Sequence, residues 1–257
     1  MKKEFPTASA TGMRAAILCG GLGTRLQARL PGKPKALAPI GDGVFLDYVL
    51  RLLRRFGVEE AILCTGYKGE AIREHVGGGK EVAMRVRYSE EKEALGTGGA
   101  VKNAQSLLSG GPFFICNGDT LLDVDFGRLL AAHRRAKAIA TLALARVQDG
   151  SRYGNVQTVA DGEVKEWVEK PESGKGGAGT AWIYGGICVA EPRLFELIPA
   201  APPAVSLERD VFRKLAGHGL FAERFPGFFL DIGVPEDYER ARKVIPERYG
   251  CDGAHSG

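Results

Sequence analysis

Short apolar runs alternate with segments of helical period along this chain. The runs at 14–18, 61–65, 83–89, 113–116, 139–146, 183–190 and 221–225 have the length and composition of strands. Between them, Val49, Leu52, Leu53 and Phe56 recur at i, i+3, i+4 and i+7 and line up one apolar helical stripe. Segments 125–137 and 235–244 also suit amphipathic helices, with Asp123 and Asp125 placed at the start of the first of these. The alternation predicts an α/β fold with a parallel sheet covered by helices on both faces. Ligands of such sheets lie beyond the carboxyl ends of the strands, where Gly20, Thr65 and Asn117 stand in this chain.

The pattern changes near residue 150. Segments 153–159 and 163–167 flank Ala160-Asp161-Gly162, which predicts a β-hairpin closed by a glycine turn. A glycine-rich loop is expected at 173–179. The second half is therefore expected to be β-rich. With no internal repeat and no long linker, one domain over 13–249 is predicted, with halves at 13–150 and 151–249. Residues 1–12 and 250–257 read as a disordered arm and tail.

Composition narrows the functional classes. The 257 residues are 44% hydrophobic and 26% charged, as in a soluble globular protein. No apolar stretch approaches the ~20 residues that span a bilayer. The N-terminus has no apolar signal core, so a cytoplasmic protein without a membrane partner is expected. A net charge of +4 favours anionic ligands but is too small and scattered for nucleic acid. The cysteines at 19, 64, 116, 188 and 251 form no C-x-x-C pair and read as reduced, mostly buried thiols. The histidines at 75, 133, 218 and 255 show no metal spacing, and His75 and His133 are expected to be solvated.

The chemistry concentrates at 18–40. An apolar run ends in Leu18, then Gly20, Gly21 and Gly23 lead into Thr24 and Arg25, and Lys35 follows ten residues later. Glycines let the backbone turn tightly and bring bare N–H groups to an anion. Two cationic side chains at that spacing can flank a triphosphate. The Walker pattern is absent, and the dinucleotide fingerprint lacks its third glycine. Taken alone, Arg25 and Lys35 would read as solvated charges. Asp119 follows a buried strand and Asp231 another apolar segment; a hard divalent ion such as Mg²⁺ takes one or two such carboxylates. An isolated Gly-Asp equally suits a turn or a helix cap.

The segments GGLGTRL, P-x-K-P-K-x-L, LGTGGA, NGD, EKP and LDIG, in this order, resemble the sugar-1-phosphate nucleotidyltransferases. Within that family the chain is most similar to the heptose-1-phosphate and mannose-1-phosphate guanylyltransferases. The resemblance covers nearly the whole chain, from about Met13 to Ile245. It implies a Rossmann-like mixed sheet covered by helices on both faces, with a nucleotide-binding first half and a β-rich acceptor half. It implies nucleotide contacts from Leu18, Gly20, Gly21, Gly23, Thr24, Arg25, Lys35, Glu91, Gly96 and Thr97. Arg25, Lys35 and Asp119 would be the catalytic residues, and Asp119 and Asp231 the ligands of Mg²⁺. The sugar phosphate would meet Asn117, Tyr153, Gly154, Glu169, Lys170, Gly186 and Glu208. Thr97 also reads as a helix N-cap, and Tyr153 as a hairpin aromatic. Ala94 stands where the family usually has Pro, and Tyr184 where it has Asn.

The implied partners are an NTP, with GTP favoured, and a sugar-1-phosphate, with a heptose-1-phosphate favoured. A homo-oligomer is compatible with this reading. UTP, CTP or dTTP with another hexose, amino-sugar or cyclitol phosphate are nested alternatives. A non-catalytic nucleotide sensor on the same fold would be expected to have lost Arg25, Lys35 or the aspartates, and all are present.

Overall fold

A computed structural model of the chain describes residues 10, 12–27, 29–150, 153, 155–168, 180–200 and 204–249. The first half contains strands β1 (Arg14–Leu18), β2 (Pro39–Ile40) and β3 (Gly43–Val44), helix α1 (Phe45–Arg55), β4 (Glu60–Thr65), α2 (Gly69–Val76) and β5 (Arg85–Glu90). It continues through α3 (Gly96–Asn103), α4 (Gln105–Leu108), β6 (Phe113–Asn117), β7 (Thr120–Leu122), α5 (Phe126–Ala136) and β8 (Ala140–Val147). The second half adds β9 (Asn155–Thr158), β10 (Val164–Val168), β11 (Ala181–Ala190) and α6 (Leu194–Leu197). A π-helical turn, Leu207–Phe212, then runs into α7 (Arg213–Leu215), β12 (Leu220–Phe225), β13 (Phe229–Asp231) and α8 (Pro235–Tyr249).

Among the described residues nine strands form one sheet. β5, β4, β1 and β6 run parallel, as the alternation predicts. The sheet is nonetheless mixed, not parallel throughout, because β11 enters antiparallel between β6 and β8. Its C-terminal half pairs with β6 and its N-terminal half meets β9, so one long strand joins the two halves of the chain. The predicted hairpin is present: β9 and β10 pair antiparallel, and Gly162, at φ +89°, closes the turn.

Alternating side chains of the central strands feed two cores. Ala15, Ile17, Leu63, Phe114 and Cys116 face the layer of α1, α5 and α8. Ala16, Ile62, Cys64, Phe113 and Ile115 face α3, α4 and the Leu207–Phe212 turn. Burial on both faces explains why these strands read as continuous apolar runs. The α1 stripe is buried at Val49, Leu52, Leu53 and Phe56, as predicted. Among the described residues no helix is long and apolar enough to cross a membrane.

Several boundaries and roles depart from the sequence reading. Within the arm assigned to 1–12, Ala10 is fully buried and donates its N–H to the Phe56 carbonyl at 3.0 Å; residues 1–9 and 11 lie outside the described residues. Strand β5 begins at Arg85, two residues late, because Ala83 adopts a left-handed conformation at φ +50°. Asp125 does cap α5, accepting from the Arg128 N–H at 2.9 Å, but Asp123 serves a different purpose. The loop at 173–179, Cys251 and His255 lie outside the described residues. Cys19, Cys64, Cys116 and Cys188 are free, buried thiols, and burial raises them all, Cys64 and Cys188 to about 12.

His133 is not solvated. Its side chain is 1% exposed, with Nδ1 at 2.9 Å from Thr141 Oγ1 and Nε2 at 3.3 Å from Glu191 Oε1. Burial pushes the imidazole below its ordinary 6.5, with Glu191 pulling upward and Arg134 adding to the lowering. The folded state therefore binds this proton less readily than the unfolded chain. The contribution of neutral His133 is fully present above the unfolded value and is lost as pH falls through the lower folded one. Thermal midpoints measured from neutral to mildly acidic pH should fall, and His133→Gln should flatten that slope. His75 is exposed, as expected, with Nε2 2.8 Å from Asp47 Oδ1.

Candidate active site

The carboxyl ends of β1 and β6 and the 91–97 segment after β5 converge on one cavity of about 530 Å³. Close passage of three loops makes it possible, and glycines make the passage possible. A Cβ on Gly20 would stand 2.6 Å from Glu91 Oε1. One on Gly118 would meet the Leu18 carbonyl and Cys19 Sγ, both at 2.8 Å. Gly23 has φ +59° and faces the stem of Lys35. Of the three loop glycines, only Gly21 faces open space on its Cβ side. Gly20 and Gly23 are thus explained by protein neighbours before any ligand is considered.

Two short 3₁₀ turns present the cations. Thr24–Leu26 is held down by buried Leu26 and leaves Thr24 and Arg25 exposed at the cavity. The Arg25 guanidinium makes no ion pair among the described residues. The extended conformation of Pro34 starts the second turn, Lys35–Leu37. Between the turns, Gln27 donates to the Leu22 carbonyl at 3.1 Å, and Lys68 donates to the Gly32 carbonyl. These contacts brace the loop from its own middle and from the end of β4.

Lys35 joins the two aspartates. Its Nζ lies 2.6 Å from Asp119 Oδ2 and 3.7 Å from Asp231 Oδ1. Asp119 sits between β6 and β7, and Asp231 ends β13. Antiparallel pairing of β7 with β13 places Asp231 opposite Thr120, and the Ile232 N–H donates to the Asp119 carbonyl at 3.0 Å. Residues 112 apart in sequence are therefore neighbours through one strand pair. Burial, and then the Asp119 charge, raise Asp231, while Lys35 pulls it down. Asp231 Oδ1 is buried without a hydrogen-bond partner. A pair of hard oxygen ligands, one with an unsatisfied lone pair, is a donor set that suits a divalent ion binding phosphate oxygens. Among the described residues no group of three or more potential ligands occurs, so phosphate and water would complete the shell.

The 91–97 segment lines the opposite wall. Glu91 is held to the sheet by its N–H, which donates to the Thr65 carbonyl at 2.8 Å. Its Oε2 accepts from the Leu95 N–H at 3.1 Å, and burial raises this carboxyl. Gly96 has φ +74°, and a Cβ there would lie 2.5 Å from the Val205 carbonyl oxygen. Its bareness serves contact with 205, not only contact with a ligand. Thr97 lines the cavity but is no N-cap: α3 begins at Gly96. The Thr97 hydroxyl accepts from the Leu207 N–H at 2.8 Å and donates to Glu208 Oε2 at 3.0 Å. Glu208 also accepts from the Ser206 hydroxyl at 2.8 Å, so this carboxylate ties the first turn of α3 to the Leu207–Phe212 turn. Nothing in the periodicity of 204–212 signals that staple; only the tertiary fold reveals it.

The acceptor side is partly described. Asn117 lines the cavity, and a Cβ on Gly186 would meet its Nδ2 at 2.9 Å. Gly186, at φ +73°, belongs to an irregularity of β11 between Tyr184 and Ile187, and its missing side chain makes room for Asn117. Tyr184 packs at the edges of Trp167 and Phe212, with ring centroids at 6.0 and 5.8 Å. Tyr153 meets Phe229 edge-on at 5.8 Å. Gly154, Glu169 and Lys170 lie outside the described residues.

Comparison with known proteins gives a consistent picture. A family model described as nucleotidyl transferase matches residues 14–248. A D-glycero-alpha-D-manno-heptose 1-phosphate guanylyltransferase of Aneurinibacillus thermoaerophilus is 37% identical, over 91% of this chain and 98% of its own. One of Campylobacter jejuni is 35% identical, over 88% of this chain and 97% of its own. The crystal structure of HddC from Yersinia pseudotuberculosis complexed with GMP-PN superposes with a TM-score of 0.75 at 31% identity, over 90% of this chain and 98% of that one.

Proposed function

The chain belongs to the nucleotidyl transferase family, and from that premise we propose that it transfers GMP from GTP to D-glycero-alpha-D-manno-heptose 1-phosphate. The products are the GDP-sugar and pyrophosphate. An oxygen of the sugar phosphate attacks the α-phosphorus, and the bond to the β-phosphate oxygen breaks. The observation that carries this reading is the convergence of Lys35, Asp119 and Asp231 at the foot of the loop that exposes Arg25. The choice of base and sugar is supported by the names of the relatives that match over nearly their full length, and the base by the nucleotide held in the Yersinia structure.

The roles follow from charge and position. Negative charge spreads over phosphate oxygens in such a transfer, so positioning and cations supply most of the rate. Arg25, planar and exposed at the cavity, grips the departing pyrophosphate with its fork of donors. Lys35 supplies a point charge at the α-phosphate. The N–H groups of Gly20, Gly21, Gly23 and Thr24, with Leu18 beneath them, cradle the phosphates. Glu91, Gly96 and Thr97 wall the base and ribose. The family resemblance assigns Asn117, Tyr153, Gly154, Glu169, Lys170, Gly186 and Glu208 to the sugar-phosphate side. Asp119 and Asp231 are the residues that would hold Mg²⁺. When bound, the ion neutralises phosphate charge and orients the α-phosphate.

Pyrophosphate release tests this directly. GTP, UTP, CTP, ATP and dTTP would each be paired with heptose, mannose, glucose and amino-sugar 1-phosphates. Release is expected with GTP and the heptose 1-phosphate, and it should vanish in excess chelator. No release with any pair sinks the reading. Nucleotide binding without turnover in the presence of Mg²⁺ would point to a sensor instead. Full turnover in chelator would remove the metal from the scheme.

A further inference from the structure

We propose that Asp123, gripped by Arg248 and Tyr249, is a positioning residue that fixes the strand pair carrying Asp119 and Asp231. The proposal rests on reading those two carboxylates as the metal ligands.

Among the described residues β7 and β13 pair only with each other; they pack on the core through Leu121, Leu122 and Leu230 but share no ladder with the nine-stranded sheet. A ribbon of two three-residue strands has little stability of its own. Its two ends are easily named. At one end the Ile232 N–H donates to the Asp119 carbonyl, beside both carboxylates. At the other the Asp123 N–H donates to the Phe228 carbonyl at 2.8 Å. Any twist or slip at the Asp123 end is passed along so short a ribbon to the end that bears the ligands.

That far end is clamped by the C-terminal helix. The Asp123 side chain is only 8% exposed. Its Oδ2 accepts from Arg248 Nη2 and its Oδ1 from the Tyr249 hydroxyl, so both oxygens are engaged. The Arg248 guanidinium also lies over the Phe228 ring, 4.9 Å from its centroid, and Tyr249 meets the same ring at 6.1 Å. Gly227 leaves the space: a Cβ there would stand 2.7 Å from Asp123 Cβ.

The connectivity closes the brace. α8 starts at Pro235, four residues beyond Asp231, and its last two residues return to Asp123. Between those points Tyr238, Ala241 and Ile245 are buried, and the Tyr238 hydroxyl donates to the Pro39 carbonyl at 3.1 Å. The ribbon is thus tied at its ligand end by covalent continuity into α8, and at its far end by the side chains of the same helix. A carboxylate pair that must share one ion needs this kind of support, since small misplacements cost affinity.

The test compares Asp123→Asn, Arg248→Gln, Tyr249→Phe and the Arg248→Gln/Tyr249→Phe double variant with the wild type. Three quantities are read: the Mg²⁺ concentration for half-maximal pyrophosphate release, Mn²⁺ binding by electron paramagnetic resonance with a non-hydrolysable GTP analogue, and the thermal midpoint. Asp123→Asn and the double variant should each weaken metal binding by about fivefold to tenfold in both metal readouts. The KM for GTP at saturating metal should stay near the wild-type value. Loss of thermal stability or activity with wild-type metal dependence would overturn the proposal and leave Asp123 a structural anchor. Should Asp123→Asn fail to fold, the double variant decides, because it removes the same contacts from the helix side. If the wild type releases no pyrophosphate with any substrate pair, the proposed reaction fails while the Mn²⁺ arm still decides the brace. A wild type that binds no Mn²⁺ overturns both the brace and the metal reading.

Discussion

Asp119→Asn is expected to lower kcat by about 10²-fold or more, the loss that accompanies removal of one electrostatic element from a preorganised site. The substitution keeps the shape of the side chain and can retain its contact with the Thr120 hydroxyl, 3.1 Å from Asp119 Oδ1. What it removes is charge. The 2.6 Å ion pair with Lys35 is lost, and Lys35 is left with Asp231 at 3.7 Å as its anionic neighbour. The amide is also a far poorer ligand for a hard divalent ion. Because Asp119 raises Asp231 by like-charge repulsion, its neutralisation should leave Asp231 more readily ionised. Asp231 alone then becomes a weak, single-carboxylate metal site. Steady-state kinetics across Mg²⁺ concentrations check this, with the thermal midpoint as a folding control. A kcat within about threefold of wild type would refute the assignment, since that is far below the ~10²-fold expected for such an element.

The position of this site was legible because it rests on strand ends. A buried strand leaves a continuous apolar run, and the residues just past it stand at the sheet's carboxyl edge. β1 ends at Leu18 and β6 at Asn117, so the glycine loop and Asp119 could be placed there from the sequence pattern. The α1 stripe was legible for the same reason, as a periodicity that one face imposes. The partners of each residue were not legible. Gly96 reads as a place for a ligand, yet the atom nearest its empty Cβ position is a backbone oxygen of Val205, 109 residues later. Thr97 has the sequence context of an N-cap, but the Leu207 N–H and Glu208 compete for its hydroxyl and win. His133 stands among arginines on a helix, and only the approach of Thr141 and Glu191 explains how it is accommodated when buried. Gly186 suggested an approach to sugar, while the approach seen is that of Asn117. Each of these depends on a contact between distant segments, and local pattern carries no information about which distant segment arrives.

Arg25→Ala is expected to lower kcat by about 10²-fold with almost no change in stability. The two halves of that expectation have separate grounds. Arg25 is exposed, and its guanidinium makes no ion pair among the described residues; the turn that carries it is held by buried Leu26. Truncation therefore removes little that the fold uses, and the thermal midpoint should match the wild type. In the transition state of the proposed transfer the situation would differ, because charge builds on the leaving pyrophosphate and a fork of donors would meet it. Loss of a contact made mainly in the transition state lowers kcat and kcat/KM together. Arg25→Lys separates charge from geometry: it restores a cation but not the planar fork, so only part of the rate should return. Lys35 offers the internal comparison. It is mostly buried between Asp119 and Asp231, so Lys35→Ala should cost stability or metal order as well as rate. A single-turnover measurement of pyrophosphate formation would locate the Arg25 defect in the chemical step. An unchanged single-turnover rate, or a fall in rate that tracks a fall in thermal midpoint, would show that Arg25 does not grip the leaving group.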